Sequence, residues 1–198
     1  MSFVTVKELM VDAEANGYAV GAFNLNNMEI MQAVIQAGEE ERSPVILQAS
    51  QGGIKYAGLS YIVAMARAAA EKATIPIALN LDHGTSFEQA VACICAGFSS
   101  VMIDGSSHSL ESNIELTRRV VEIAHIAGAS VEGELGRLAG IEDNINVADK
   151  DAAFTDPDQV QEFVERTGVD SLAIAIGTSH GAYKFKGEPK LRFDILEE

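Results

Sequence analysis

The chain has 198 residues, 47% of them hydrophobic, 22% charged and 6% aromatic. That composition belongs to a folded globular protein and excludes intrinsic disorder, because there is ample apolar surface to offset ordering entropy. Twenty-nine acidic residues stand against 14 basic ones, a net charge of −15, which argues against nucleic acid and anionic membrane surfaces as partners.

The N-terminal stretch MSFVTVKELMVD is amphipathic and has no signal-peptide pattern. It predicts a short helix over Val6 to Ala15. From there, strand and helix patterns alternate. Strands are expected at Ala19 to Phe23, Pro44 to Gln48, Ile75 to Leu81, Ser99 to Ile103, Ser130 to Glu134 and Ser171 to Ile176. Several are apolar throughout, as strands covered on both faces of a parallel sheet are. Helices are expected at Asn27 to Arg42, Ser60 to Lys72, Phe87 to Ala96, Leu110 to Ala127 and Pro157 to Arg166. Asp156 reads as the cap of the last of these, with Pro157 in its first turn. Gly97, Gly128 and Gly168 stand where helices should stop. A further helix is expected near Phe193. The most apolar run, Tyr61 to Ala70, is interrupted by Arg67 and is too short to cross a bilayer.

Six consecutive β/α units fit an open doubly wound sheet or a (β/α)8 barrel. No Gly-x-Gly-x-x-Gly follows the first strand, so the barrel is favoured. A barrel needs eight strands and about 250 residues, so residues 1–198 are expected to form one barrel domain, incomplete at its C-terminal end after about six units. Cys93 and Cys95, two apart in a predicted helix, read as buried free thiols, not a disulfide. Together with the absence of a leader or span, they predict a cytoplasmic protein.

Polar residues gather directly after the strands, at one rim: Asn24 and Asn26; Ser50 and Gln51; Asp82-His83-Gly84; Asp104-Gly105-Ser106; Glu134-Leu135-Gly136; Gly177-Thr178-Ser179-His180-Gly181. Apolar strands ending in Asp, His and Glu at one rim describe a site in a barrel mouth. Two histidines with carboxylates suggest a divalent transition metal, zinc before others, with His83 and His180 as ligands and a third expected from Glu134, Asp104 or a segment beyond Glu198. His125 and His108 read as structural or surface residues. Gly181, Gly52 and Gly53 offer backbone N–H groups to an anion. The long connection from Leu135 to Asp156 reads as a polar loop without regular structure, a mobile lid carrying Glu142 and Asp143.

The segments VGAFNLNN, SPVILQAS, LNLDHG, GFSSVMIDGS, VEGELGRLAGIED and AIGTSHGAYKFKGEPKL resemble the class II, zinc-dependent ketose-bisphosphate aldolases in their fructose-1,6-bisphosphate branch. The resemblance covers essentially the whole chain. It implies a (β/α)8 TIM barrel and reversible cleavage of a sugar phosphate, fructose 1,6-bisphosphate, to dihydroxyacetone phosphate and glyceraldehyde 3-phosphate. By motif, it implies that His83 and His180 are ligands of the catalytic Zn2+ and that Asp82 is the acid/base at the C4 hydroxyl. Asp104 and Glu134 then hold the metal in an alternative site. Ser50 contacts the aldehyde product, Gly181 contacts dihydroxyacetone phosphate, and Glu142 exchanges a proton with that product's carbon. Asn24, on the same rim, joins the substrate-binding set. The family's third histidine ligand lies on a following strand. No lysine sits at the end of an apolar strand, which disfavours Schiff-base chemistry. The rivals are tagatose-1,6-bisphosphate cleavage and a non-catalytic barrel subunit stabilising a partner. Self-association into a homo-oligomer is expected.

Overall fold

The computed structural model describes residues 3–138, 140–142, 145–147, 153–180 and 190–198. Six parallel strands form one sheet: β1 (Gly21–Asn24), β2 (Val45–Ser50), β3 (Ile77–Gly84), β4 (Ser100–Ile103), β5 (Ser130–Leu135) and β8 (Ser171–Ile174). Their spatial order is β1-β2-β3-β4-β5-β8. That monotonic order decides between the two architectures left open by the sequence. A doubly wound sheet reverses direction partway, whereas each strand here adds beside its predecessor, as in a barrel. The chain thus builds six of the eight strands of a (β/α)8 barrel. Within the described residues, β1 and β8 each have one neighbour.

The helices are α1 (Val6–Asn16), α2 (Met28–Glu41), α3 (Gln51–Ala57), α4 (Leu59–Lys72), α5 (Phe87–Ala96), α6 (Leu110–Ala127), α7 (Pro157–Thr167) and α8 (Phe193–Glu197). Their ends match the local chemistry. Thr5 and Glu8 close a reciprocal capping box on α1. The Asp156 side chain accepts from Asp158 N–H at the start of α7, with Pro157 in its first turn. Gly97, Gly128 and Gly168 end α5, α6 and α7 as anticipated.

The period of two along the strands sorts side chains between two layers. Val45, Leu47 and Ala49 on β2, and Ile77, Leu79 and Leu81 on β3, join the main core under the helices. Replacing a side chain such as Leu79 by Ala would cost about 2–5 kcal/mol. The opposite face looks into the barrel. Ile46 and Ala78 pack there against Val6 and Leu9 of α1, so α1 plugs the N-terminal end. Higher on the same face of β2 and β3 come Gln48 and Asn80, then Ser50 and Asp82, which are register partners.

Three expectations need correction. Cys93 is buried but Cys95 is exposed; positions two apart on a helix are about 200° apart, so they cannot share a buried face. Burial pushes the Cys93 thiol up to about 12. The connection between Leu135 and Asp156 is not irregular throughout. It holds an antiparallel hairpin, β6 (Gly140–Glu142) and β7 (Ile145–Val147), too short to show periodicity. The sequence also missed α3, because Gly52 and Gly53 read as turn residues.

Candidate metal centre

The site sits where β3, β4, β5 and the segment after β8 end. At β3, the pairing with β4 shifts register between Leu81 and Gly84. This irregularity re-aims the side chains of Asp82 and His83. His83 has φ +47, a left-handed conformation that costs a non-glycine residue about 1–3 kcal/mol. Two features hold it. Gln51 Nε2 donates to the His83 carbonyl at 2.7 Å. Gly84 allows β4 to approach: a Cβ there would lie 2.8 Å from the Met102 carbonyl oxygen and 2.6 Å from Leu81 Cδ2.

This backbone brings His83 Nδ1 to 3.2 Å from Asp104 Oδ2 and 3.4 Å from Glu134 Oε2. His83 Nε2 lies 4.0 Å from Asp82 Oδ1. Ligand atoms of His83, Asp104 and Glu134 all lie within 4.8 Å of one another. The His180 ring stands edge-on to His83, with centroids 5.0 Å apart. Asp104 is locked in place, its second oxygen accepting from Ser106 N–H at 3.0 Å. The backbone at Glu134 is pinned by the buried Asn113 of α6, whose Nδ2 donates to the Glu134 carbonyl at 2.9 Å. The Glu134 carboxylate itself, in a residue only 4% exposed, has one oxygen, Oε2, with no hydrogen-bond partner.

The electrostatics follow from crowding. Burial alone would lower the His83 pKa, but Asp104, Glu134 and Asp82 outweigh it and raise it to about 9. Burial, with Asp104 nearby, raises Glu134 to about 8. Burial raises Glu132, one turn of the pleat below, to about 7. Burial also pushes Asp104 up, but its bonds to His83 and Ser106 prevail and hold it below the usual carboxylate range. A divalent cation would relieve this strain between carboxylates. One imidazole and two carboxylates within reach, with an orphaned buried carboxylate oxygen among them, form a donor set that fits such a metal.

The sequence-predicted residues fall into three groups. Asp82, His83, Asp104, Glu134 and His180 come together. Ser50 lies alongside Asp82 by register, and its hydroxyl also caps α3, accepting from Gly53 N–H at 3.1 Å. Asn24 ends β1 at the exposed end of the rim. Glu142 lies on β6 by its backbone, while Gly181 and Asp143 lie outside the described residues. His125 pairs with Asp170 Oδ2 at 2.9 Å, far from the site. Sequence reasoning assigned no role to Gln51, Asn113, Glu132 or Thr155; Gln51, Asn113 and Thr155 act through hydrogen bonds between segments distant in the chain.

A parallel barrel sheet with a histidine–carboxylate cluster at its C-terminal rim defines a candidate metallo-barrel. The chain belongs to the class II fructose-bisphosphate aldolase family, whose model matches residues 4–198; this family is generally metal-dependent. A fructose-bisphosphate aldolase of Helicobacter pylori J99 is 55% identical over 192 residues, which is 96% of this chain and 62% of the relative. One of Thermus caldophilus is 53% identical over 186 residues, 94% of this chain and 61% of the relative. The chain therefore spans about three fifths of the length of these relatives. Among solved structures, a putative fructose-1,6-biphosphate aldolase of Coccidioides immitis superposes with a TM-score of 0.88 at 34% identity, covering 97% of this chain and 67% of that one. The YdjI aldolase of Escherichia coli K12 gives 0.84 at 35% identity, covering 98% and 67%. Among the described residues, no helix is long and apolar enough to cross a membrane.

Proposed function

We propose that this chain carries the metal-site half of a zinc-dependent aldolase that reversibly cleaves fructose 1,6-bisphosphate to dihydroxyacetone phosphate and glyceraldehyde 3-phosphate. The observation that carries the reading is the convergence of His83, Asp104 and Glu134, with His180 beside them. The relatives, fructose-bisphosphate aldolases of Helicobacter pylori and Thermus caldophilus, point to the substrate.

In this reading His83 and His180 hold the catalytic zinc, and Asp104 and Glu134 offer it a second position through the same His83. Bound zinc supplies a Lewis acid that draws electron density from the substrate ketone. Asp82, beside His83 and Ser50, takes the proton of the C4 hydroxyl. The C3–C4 bond then breaks; its electron pair passes onto C3 and the adjacent carbonyl, and the aldehyde leaves. Glu142 of β6 returns a proton to that carbon and completes dihydroxyacetone phosphate. Ser50 and Asn24 line the aldehyde side, and Gly181 meets the phosphorylated ketone. The free thiols Cys93 and Cys95 suit a reducing, cytoplasmic setting, and the protein works as a homo-oligomer.

The test is a coupled assay of the whole natural protein with fructose and tagatose bisphosphates, before and after chelation, alongside metal analysis and light scattering. Zinc-restored cleavage of the fructose substrate is expected. Preference for tagatose bisphosphate, or turnover that survives complete metal removal, would overturn the assignment. Glu142→Ala should retain zinc and slow deuterium exchange into dihydroxyacetone phosphate more than it weakens sugar binding.

A further inference from the structure

Thr155 lies 20 residues from Leu135 and 20 from Ala175, yet it joins their segments. It is 2% exposed. Its hydroxyl donates to the Leu135 carbonyl at 2.6 Å and accepts from Ala175 N–H at 2.7 Å. Its own N–H donates to the Ala175 carbonyl at 3.0 Å. Leu135 directly follows Glu134, and Ala175 lies between β8 and His180. The last register pair of β5 and β8 is Leu135↔Ile174. Past that pair, the bonds between the two strands run through Thr155.

The same segment is the return limb of the β6–β7 hairpin. Arg137 and Ala153 close its base with two backbone bonds, of 2.7 and 3.0 Å. Gly136, at φ +84, lets the limbs meet: a Cβ there would stand 2.7 Å from Thr155 Oγ1, 2.8 Å from Thr155 N and 2.7 Å from Ala175 Cβ. One hydroxyl, using both its donor and its acceptor capacity, thus fixes the hairpin base against the β5 and β8 exits. A short-range turn would not need it, since Thr155 lies 20 residues from each partner.

We propose that Thr155 is a positioning residue, which ties the base of the β6–β7 hairpin, the loop that carries the Glu142 backbone, to the end of β5 just past Glu134 and to Ala175 on the segment that leads to His180. The catalytic side of this inference rests on the function proposed above; the mechanical side does not. Removal of the hydroxyl frees the hairpin base without touching a metal ligand. A displacement of about 1 Å at a reacting group can cost on the order of 10²-fold in rate.

The experiment uses the whole natural protein as wild type, Thr155→Val and Thr155→Ser. Amide hydrogen exchange is read at β6 and β7 in metal-free and metal-loaded samples. Metal content, kcat, KM and deuterium exchange into dihydroxyacetone phosphate are read beside it. For Thr155→Val, β6 and β7 amides should exchange about tenfold faster, as expected when local opening no longer breaks these hydrogen bonds. Metal content should hold, and the exchange reaction should slow by about 10²-fold, with KM shifted far less than kcat. Thr155→Ser, which keeps the hydroxyl, should restore all of these. Unchanged hairpin exchange in Thr155→Val would overturn the proposal, as would acceleration spread evenly over the protein or failure of serine to rescue. If wild type cleaves no sugar bisphosphate, the functional reading falls while the hydrogen-exchange result still decides the clamp. Should the valine variant not fold, Gly136→Ala, which drives a methyl group onto Thr155 Oγ1, is judged by the same criteria.

Discussion

The two ends of the barrel interior are built on opposite terms. At the N-terminal end, polar groups meet partners at ordinary distances. The first turn of α1 donates Val6 N–H to Ser100 Oγ at 2.8 Å and Lys7 N–H to Ser130 Oγ at 3.3 Å. The two serine hydroxyls bond each other at 2.7 Å. Helix N–H groups that have no intrahelical acceptor are thereby satisfied inside the barrel. Asp170, its side chain 3% exposed, takes Lys7 Nζ at 2.8 Å, His125 Nε2 at 2.9 Å and Val131 N–H at 2.8 Å. At the C-terminal rim the same sheet carries a left-handed His83, a broken register, and a buried Glu134 oxygen without a hydrogen-bond partner. The strands are continuous between the two ends, so the contrast is not one of scaffold. One end closes its polar groups on one another and stabilises. The other gathers imidazole and carboxylate groups into a candidate metal site, an arrangement that costs stability.

If that contrast is right, changes at the rim should alter chemistry and changes at the opposite end should alter stability. The largest effect is expected at Asp82. Asp82→Ala should lower kcat by about 10²–10⁴-fold while metal content stays near that of wild type; His83→Ala and His180→Ala should instead lose metal. Steady-state kinetics and elemental analysis on the same samples separate the two, and an Asp82→Ala protein that lost metal at full per-metal activity would erase the division of roles.

Next comes the opposite end. Asp170→Ala strands the Val131 N–H, the Lys7 ammonium and the His125 ring, at a cost of about 1–3 kcal/mol, with activity per folded molecule unchanged. Denaturant titration beside kcat measures both.

The acid limb sharpens the same point. Burial raises the Asp170 pKa, but the bonds from Lys7, His125 and Val131 prevail and hold it below its ordinary value. A carboxyl lowered on folding contributes stability that is complete above its unfolded value, about pH 3.9, and is lost as the pH falls through the folded value. Stability should therefore drop with that slope below about pH 4, and Asp170→Asn should flatten it. An identical acid limb in the variant would show that Asp170 is not the group responsible.

The smallest effect is expected for Ser100→Ala, about 1 kcal/mol of stability and no change in metal content. Loss of metal from that variant would mean that the two ends are coupled through β4.

Much of this protein is written locally. The Thr5–Glu8 box, Asp156 before Pro157, the glycines after α5, α6 and α7, and the apolar residues Ile77, Leu79 and Leu81 of β3 each act within a few residues, so their elements could be read from the chain. So could the rim. In a parallel sheet every strand runs the same way, and the residues that follow the strands must collect at one end. Asp82, His83, Asp104, Glu134 and His180 were legible for that reason. Strand order was inferred correctly as a barrel's but was not written locally, since six β/α units satisfy two topologies and the lateral pairing of β1 through β8 separates them. Nor was the register shift at Leu81 and Gly84, which depends on how closely β4 approaches, nor the orphaned Glu134 oxygen, which depends on three strands at once. Thr155 and Asn113 lay further still from view: a hydroxyl or an amide has no periodicity, and its meaning comes from partners 20 residues away that only the folded chain brings within 3 Å. Short-range chemistry wrote the elements and the direction of the strands; burial and hydrogen-bond satisfaction across the assembled sheet decided where the site is strained and what holds it there.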